Sequence, residues 1–169
     1  MPRTKPFWRE KRLDQLNKTE WELLCDGCGK CCLYRLEDVD EGTCEATNVA
    51  CKLLDNKTGC CRDYARRKEI VPDCIKLTPT KVAKMDWLPK TCGYRLVHLG
   101  RDLPWWHHLR SGDRELVHKL GLSVRGRSIS ENRAGPLEHH IVDWVDDPGP
   151  PPPKKKGLKK KAKAKKNVG

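Results

Sequence analysis

Apolar positions near the start of the chain recur at roughly helical spacing. Trp8, Leu13 and Leu16, followed by Trp21, Leu23 and Leu24, predict two short helices within residues 7–24. Thr19-x-x-Glu22 has the form of a capping box for the second. From Leu33 to Asp63 there is no long amphipathic repeat. Acidic, glycine and β-branched residues interleave with cysteines there, which predicts turns and short strands around a site, with bound metal substituting for core. Thr78-Pro79 reads as an N-cap with proline at the first helical position, opening a helix that reaches about Met85 before Trp87-Leu88-Pro89. A second short helix is expected over Cys92–His98, and Ser111 reads as the cap of a helix that runs through Lys119 and is ended by Gly121. Leu122–Arg125 and His140–Trp144 look like short strands.

These elements predict a small single domain of the α+β class, irregular and α-rich, organised around a cysteine–metal cluster. The chain has 169 residues, enough for one ordinary domain and too few to expect two. The domain is expected over residues 1–147. After Asp147 the composition changes to a proline run and then a lysine, alanine and glycine run, whose low hydrophobicity and like charge cannot offset ordering entropy. Residues 148–169 are therefore expected to form a disordered basic tail. The charge follows the same boundary. Of 35 basic residues, nine are lysines between Lys154 and Lys166, leaving 26 against 23 acidic residues in the body. The net charge of +12 belongs mostly to the tail, which would make weak, salt-dependent, non-specific contact with nucleic acid.

No apolar run approaches the roughly 20 residues of a transmembrane segment. The opening residues lack the apolar stretch of a secretory signal, so a cytoplasmic location is expected. Thiols stay reduced there, and ten cysteines then point to metal or redox chemistry more than to disulfides.

The sharpest motif is Leu24-Cys25-Asp26-Gly27-Cys28-Gly29-Lys30-Cys31-Cys32-Leu33, in which two-residue spacers and glycines let the backbone fold around one ion or cluster. Cys44, Cys51, Cys60, Cys61, Cys74 and Cys92 follow, an inventory that fills one site or two, or one cluster with cysteines to spare. Cys25, Cys28 and Cys31 match the first three positions of a compact iron–sulfur run whose usual later cysteine before proline is missing, so a remote residue such as Cys74 would supply the fourth ligand. Zinc more often uses two separated pairs, and the adjacent Cys31 and Cys32 suit neither metal well. Thiolate clusters are net negative, and Lys30, Arg35, Lys52, Arg62, Arg66, Arg67 and Arg95 lie near cysteines in sequence as counter-charges or as a solvated surface.

These residues carry a resemblance. The chain resembles the YcgN-type cysteine-cluster proteins of bacteria, part of a YkgJ-like group of zinc- or iron-chelating domains. The likeness covers nearly all of residues 7–145. It includes Phe7-Trp8, Glu20-Trp21-Glu22, the Cys25–Leu33 block, Asn48–Cys51, Cys61-Arg-Asp-Tyr64, Val71–Cys74, Trp87–Arg95 and Ser111-Gly112. In three places the chain departs from that pattern: Gly59-Cys60-Cys61 stands for Cys-x-Cys, Trp106-His107-His108-Leu109 for Trp-His-Pro-Leu, and the lysine tail is added. The resemblance carries over to Cys61 and leaves Cys44 without a counterpart. The ligand set then expected is Cys25, Cys28, Cys31, Cys32, Cys51, Cys61, Cys74 and Cys92, holding zinc or an iron–sulfur cluster.

Other residues add little chemistry. His107 beside two tryptophans reads as a packed imidazole, and His108, His118, His139 and His140 have no spacing that indicates a metal triad. With one phenylalanine in the chain, Trp87, Trp105, Trp106 and Trp144 are needed as core. Phosphate-cradling glycine loops, dinucleotide fingerprints and nucleophile elbows are absent from the sequence. The expected function is metal binding through thiolates. An iron–sulfur redox protein or an iron-dependent enzyme acting on a protein partner is the alternative; the wider domain also occurs in a flagellin lysine methylase.

Overall fold

The computed structural model describes residues 4–154. The lysine run beyond Lys154, and the disorder and nucleic-acid contact expected of it, lie outside the described residues. The chain opens with α1 (Phe7–Glu10), a 3-10 turn at Leu13–Gln15 and α2 (Lys18–Leu23). The capping box of α2 falls two residues earlier than the sequence pattern indicates. Asn17 accepts from the Glu20 N–H while the Glu20 carboxylate accepts from the Asn17 N–H, at 2.9 and 3.0 Å, and Thr19 lies inside the helix. Asparagine caps as well as threonine, and the Asn17 box lets Trp21 turn onto Tyr94, ring centroids 4.6 Å apart.

The expected short strands between Leu33 and Asp63 form one antiparallel hairpin, β1 (Leu33–Asp38) with β2 (Thr43–Ala50), whose register shifts between Leu33 and Arg35. Helices α3 (Arg67–Ile70), α4 (Pro79–Val82), α5 (Gly93–His98), α6 (His108–Ser111) and α7 (Leu116–Lys119) follow, then β3 (Ile129–Ser130) and α8 (Glu131–Ala134). The sheet order is β1-β2-β3, with β3 parallel to β2. The α4 start agrees with the sequence pattern: Thr78 Oγ1 accepts from the Lys81 N–H at 3.2 Å, and Pro79 follows the cap.

Three expectations fail for local reasons. Ser111 ends α6 instead of opening a helix, because Gly112 adopts a left-handed φ of 78° and turns the chain before α7. Leu122–Arg125 is a buried turn; its amides are spent on Val117 and Cys28 carbonyls, each about 3 Å away, leaving no ladder. His140–Trp144 makes one bridge, Ile141 to Thr47, between 3-10 turns at Leu137–His140 and Trp144–Asp146.

The interior is divided. One cluster holds Leu13, Leu24, Val82, Leu88, Tyr94, Leu96, Val97 and Leu103. A second, under the hairpin, holds Leu33, Ala46, Ala50, Leu54, Val124 and Val145, and a third holds Trp106, Val117 and Leu122. The cysteine-rich loop touches all three, through Leu24 and then Cys28 and Cys32 with Leu33. Separate small cores bury too little surface each to be rigid alone, so the segment joining them matters to the whole. Past Asp147 the chain stays on the body as far as Pro150, whose carbonyl accepts from the Trp105 indole at 2.9 Å.

Candidate metal centre

The loop after α2 is built for a close turn. Asp26 Oδ1 accepts from the Cys28 N–H at 2.9 Å, and Cys32 N–H closes a 3-10 turn on Gly29 at 3.0 Å. Gly29 has φ of 73°, and a Cβ there would lie 2.6 Å from Val124 Cγ2 and 3.3 Å from the Gly59 carbonyl. Only glycine fits both demands. Backbone bonds then pin the loop at both ends of its cysteines: Cys28 O accepts from Val124 N–H and Cys32 O from Cys51 N–H, each at 2.9 Å.

A second close approach brings in Cys92. At Gly93 a Cβ would sit 2.2 Å from the Leu24 carbonyl oxygen and 3.5 Å from His107 Nε2. The residue after Cys92 is thus pressed on the residue before Cys25. His107, fully buried, locks this contact: its Nδ1 accepts from Leu109 N–H and its Nε2–H donates to Leu24 O, both at 3.1 Å. Those two roles fix the neutral imidazole, and burial lowers its pKa. The packed role read from the sequence is the one it has.

The thiols of this neighbourhood act on one another. Burial, then the charges of Cys31, Asp26 and Cys92, push Cys25 up to about 12. Cys92 is pushed up to about 11 by burial, with Cys31 and Asp26 adding to it. Cys28 is raised well above an ordinary thiol by burial and by Asp26 and Cys31. Hydrogen bonding to Cys32 is the main cause of the rise at Cys31, followed by burial. Cys25, Cys28, Cys31 and Cys92 therefore share one electrostatic neighbourhood. Cys32 borders it and packs its side chain against the hairpin core.

Cys51, Cys61 and Cys74 form a different company. Cys51 is raised by burial and then by Glu131, Cys74 and Cys61. A bridge between Leu54 and Cys61 closes the turn that starts at Cys51. Glu131 accepts from Tyr34 OH and Lys52 N–H, each at 2.7 Å, tying α8 to this turn. Cys74, named from the sequence as a remote fourth ligand, acts on Cys51, and Cys92 acts on Cys25. Cys44 is exposed on β2 opposite Glu37, and Cys60 is exposed. Among the described residues, no three Cys, His, Asp or Glu side chains close to metal-holding distance.

Two charged groups at the centre carry no separate signal in the sequence beyond their place in the motif. Lys30 is 2% exposed and makes no ion pair with a carboxylate among the described residues, and its charge favours the Cys28 thiolate. Asp26 is 9% exposed, and its Oδ2 is buried without a hydrogen-bond partner. Other basic residues near cysteines in sequence are engaged elsewhere: Arg66 with Asp63 at 2.5 Å, Arg62 with Asp55 at 3.7 Å, Arg95 with the Leu88 carbonyl, and Arg67 over the Tyr64 ring. The donor set suits a thiophilic metal: four thiols, a buried cation that needs anionic neighbours, and a buried carboxylate oxygen that lacks a donor.

Comparison with known proteins agrees with this chemistry. Residues 24–93, which contain all ten cysteines, match the family profile CxxCxxCC, described as "Putative zinc- or iron-chelating domain". A UPF0260 protein of Rhizorhabdus wittichii is 60% identical over 139 residues, covering 82% of this chain and 95% of its own length. The UPF0260 protein of Granulibacter bethesdensis is 57% identical over 139 residues, covering 82% and 84%. That of Gluconobacter oxydans is 52% identical over 158 residues, covering 94% and 97%. No solved structure matches the chain. No helix among the described residues is long and apolar enough to cross a membrane. With relatives this similar over almost their full length, the chain belongs to the UPF0260 family.

Proposed function

We propose that the protein binds a thiophilic metal, as zinc or an iron–sulfur centre, through Cys25, Cys28, Cys31 and Cys92, with Cys32 at the edge of that site. Cys51, Cys61 and Cys74 stand as further thiolate ligands in the adjoining neighbourhood. The observation that carries the reading is the pressed contact of Gly93 on Leu24, which sets Cys92 beside Cys25 although 66 residues separate them. The metal would supply a charge that gathers thiolates from distant segments, and metal binding in such sites is folding free energy.

The protein's own groups fit that task. Lys30 offsets thiolate charge from inside the loop, and His107 keeps Leu24, and with it Cys25, in place. The three small cores would be tied together at their junction. The cytoplasm, where thiols stay reduced, is the compartment that suits this chemistry.

Anaerobic purification of the full chain, followed by metal and sulfide analysis and a visible spectrum, tests the proposal. Stoichiometric metal is expected, colourless with zinc or brown with iron and sulfide. A chain that carries no metal, and takes up neither zinc nor ferrous ion with sulfide, would overturn it.

A further inference from the structure

Asp26 is the group in the loop that the thiolate reading leaves unexplained. Its side chain is more than nine-tenths buried, and only one of its two carboxylate oxygens is used. Oδ1 accepts from Cys28 N–H, while Oδ2 meets neither solvent nor a donor. A buried carboxylate oxygen without a partner costs several kcal/mol in order of magnitude, and native structures place an ion or water against such an atom. Lys30, the nearest buried cation in sequence, lies beyond ion-pair distance of it among the described residues. Asp26 stands between Cys25 and Cys28 in the loop and is bonded to the Cys28 backbone, so its carboxylate lies among the cysteines of the motif.

We infer that Asp26 Oδ2 is an oxygen ligand to the metal held by these thiolates. The inference rests on the metal-binding reading above and goes further, because it fixes the class of metal. Thiolates joined by one carboxylate form a borderline-soft donor set that suits a single divalent ion, zinc or ferrous iron. All-thiolate ligation, the usual setting of an iron–sulfur cluster, leaves no place for it. The loop geometry supports the assignment, since the bond to Cys28 N–H holds Oδ1 and so directs the other oxygen inward.

X-ray absorption of the zinc-loaded full chain tests this, compared with Asp26→Asn. Asparagine keeps the oxygen that accepts from Cys28 N–H and removes the charged donor. The wild type is expected to show an oxygen scatterer at about 2.0–2.2 Å beside sulfur at about 2.3 Å. Asp26→Asn is expected to lose that oxygen shell and to bind zinc about tenfold or more weakly in chelator competition. Asp26→Cys, as a second variant in case the asparagine form does not fold, is expected to keep zinc with an all-sulfur shell. An all-sulfur shell in the wild type, or an oxygen shell unchanged in either variant, would overturn the inference while leaving the thiolate site intact. A wild-type chain that takes no zinc and no ferrous iron would overturn both.

Discussion

Replacing Gly93 by alanine tests the contact that joins the two ends of the cysteine-bearing segment. Gly93 is not among the glycines with positive φ, so alanine is allowed by the backbone and gains about 0.5–1 kcal/mol of helix propensity in α5. Against this, the new methyl would stand 2.2 Å from the Leu24 carbonyl oxygen, a backbone atom that cannot swing aside. Overpacking of this kind costs about 1–3 kcal/mol. Moving Leu24 also stretches its 3.1 Å bond from buried His107, and a buried carbonyl left without its donor costs about 1–3 kcal/mol more. Taken at their midpoints these sum to a net loss of about 3 kcal/mol, which for a chain of this size lowers the melting temperature by roughly 6–12 °C. Gly100→Ala is the control: it has φ of 65° and open space around it, so it meets only the backbone penalty of about 1–2 kcal/mol. Circular dichroism melts of the two full-length variants make the comparison. If Gly93→Ala melts within a degree or two of wild type, or above Gly100→Ala, the account of how Cys92 is set beside Cys25 is wrong.

Three more outcomes follow from the structure. Because Cys25, Cys92, Cys28 and Cys31 are all raised, the metal-free site is protonated at neutral pH, and metal must displace roughly one proton per thiolate. Metal affinity measured by chelator competition should therefore rise steeply with pH between 6 and 8, whereas the metal-free chain, whose raised thiols favour the neutral form, should lose stability as pH climbs from about 9 toward 12; a flat affinity profile would contradict this. Asp102, which accepts from Trp8 Nε1–H at 3.0 Å and pairs with Arg9, is held down at about 2 chiefly by that arginine, so its support of α1 is present above about pH 4 and lost on acidification toward 2. The Trp8 indole N–H resonance should move with a midpoint near 2 in wild type, and Asp102→Asn should abolish that midpoint. Finally, a chain ending at Lys154 should keep its metal and lose salt-dependent nucleic-acid binding along with the lysines removed; lost metal would show that the tail belongs to the site.

Local signals were legible where one residue type decides the outcome. Thr78-Pro79 opens α4 because cap and proline act within four residues, and the Cys25–Cys32 spacing marks a tight loop because glycine and two-residue spacers permit little else. Gly112 shows the limit: its left-handed turn splits α6 from α7, and nothing in the flanking pattern ranks that glycine above its neighbours. Leu122–Arg125 alternates like a strand but becomes a buried turn because its partner, the Cys28 carbonyl, lies almost a hundred residues away. The grouping of the thiols was hidden for the same reason. Spacing alone points to a remote cysteine such as Cys74, and it holds no sign of the glycine pressed on the Leu24 carbonyl, or of the histidine bonded to it, that brings the Cys92 segment to the Cys25 segment. Asp26 and Lys30 read as ordinary polar residues between cysteines until their burial is known.

The most direct test of the central claim is the metal content of three single variants purified alongside wild type without oxygen. Cys25→Ser and Cys92→Ser each remove a thiol from the shared neighbourhood, and Cys44→Ser removes one that is exposed on β2. Both of the first two should lose at least one equivalent of metal per chain while Cys44→Ser keeps the wild-type content. Retention of full metal by Cys25→Ser and Cys92→Ser would contradict the claim that these distant thiols hold one site.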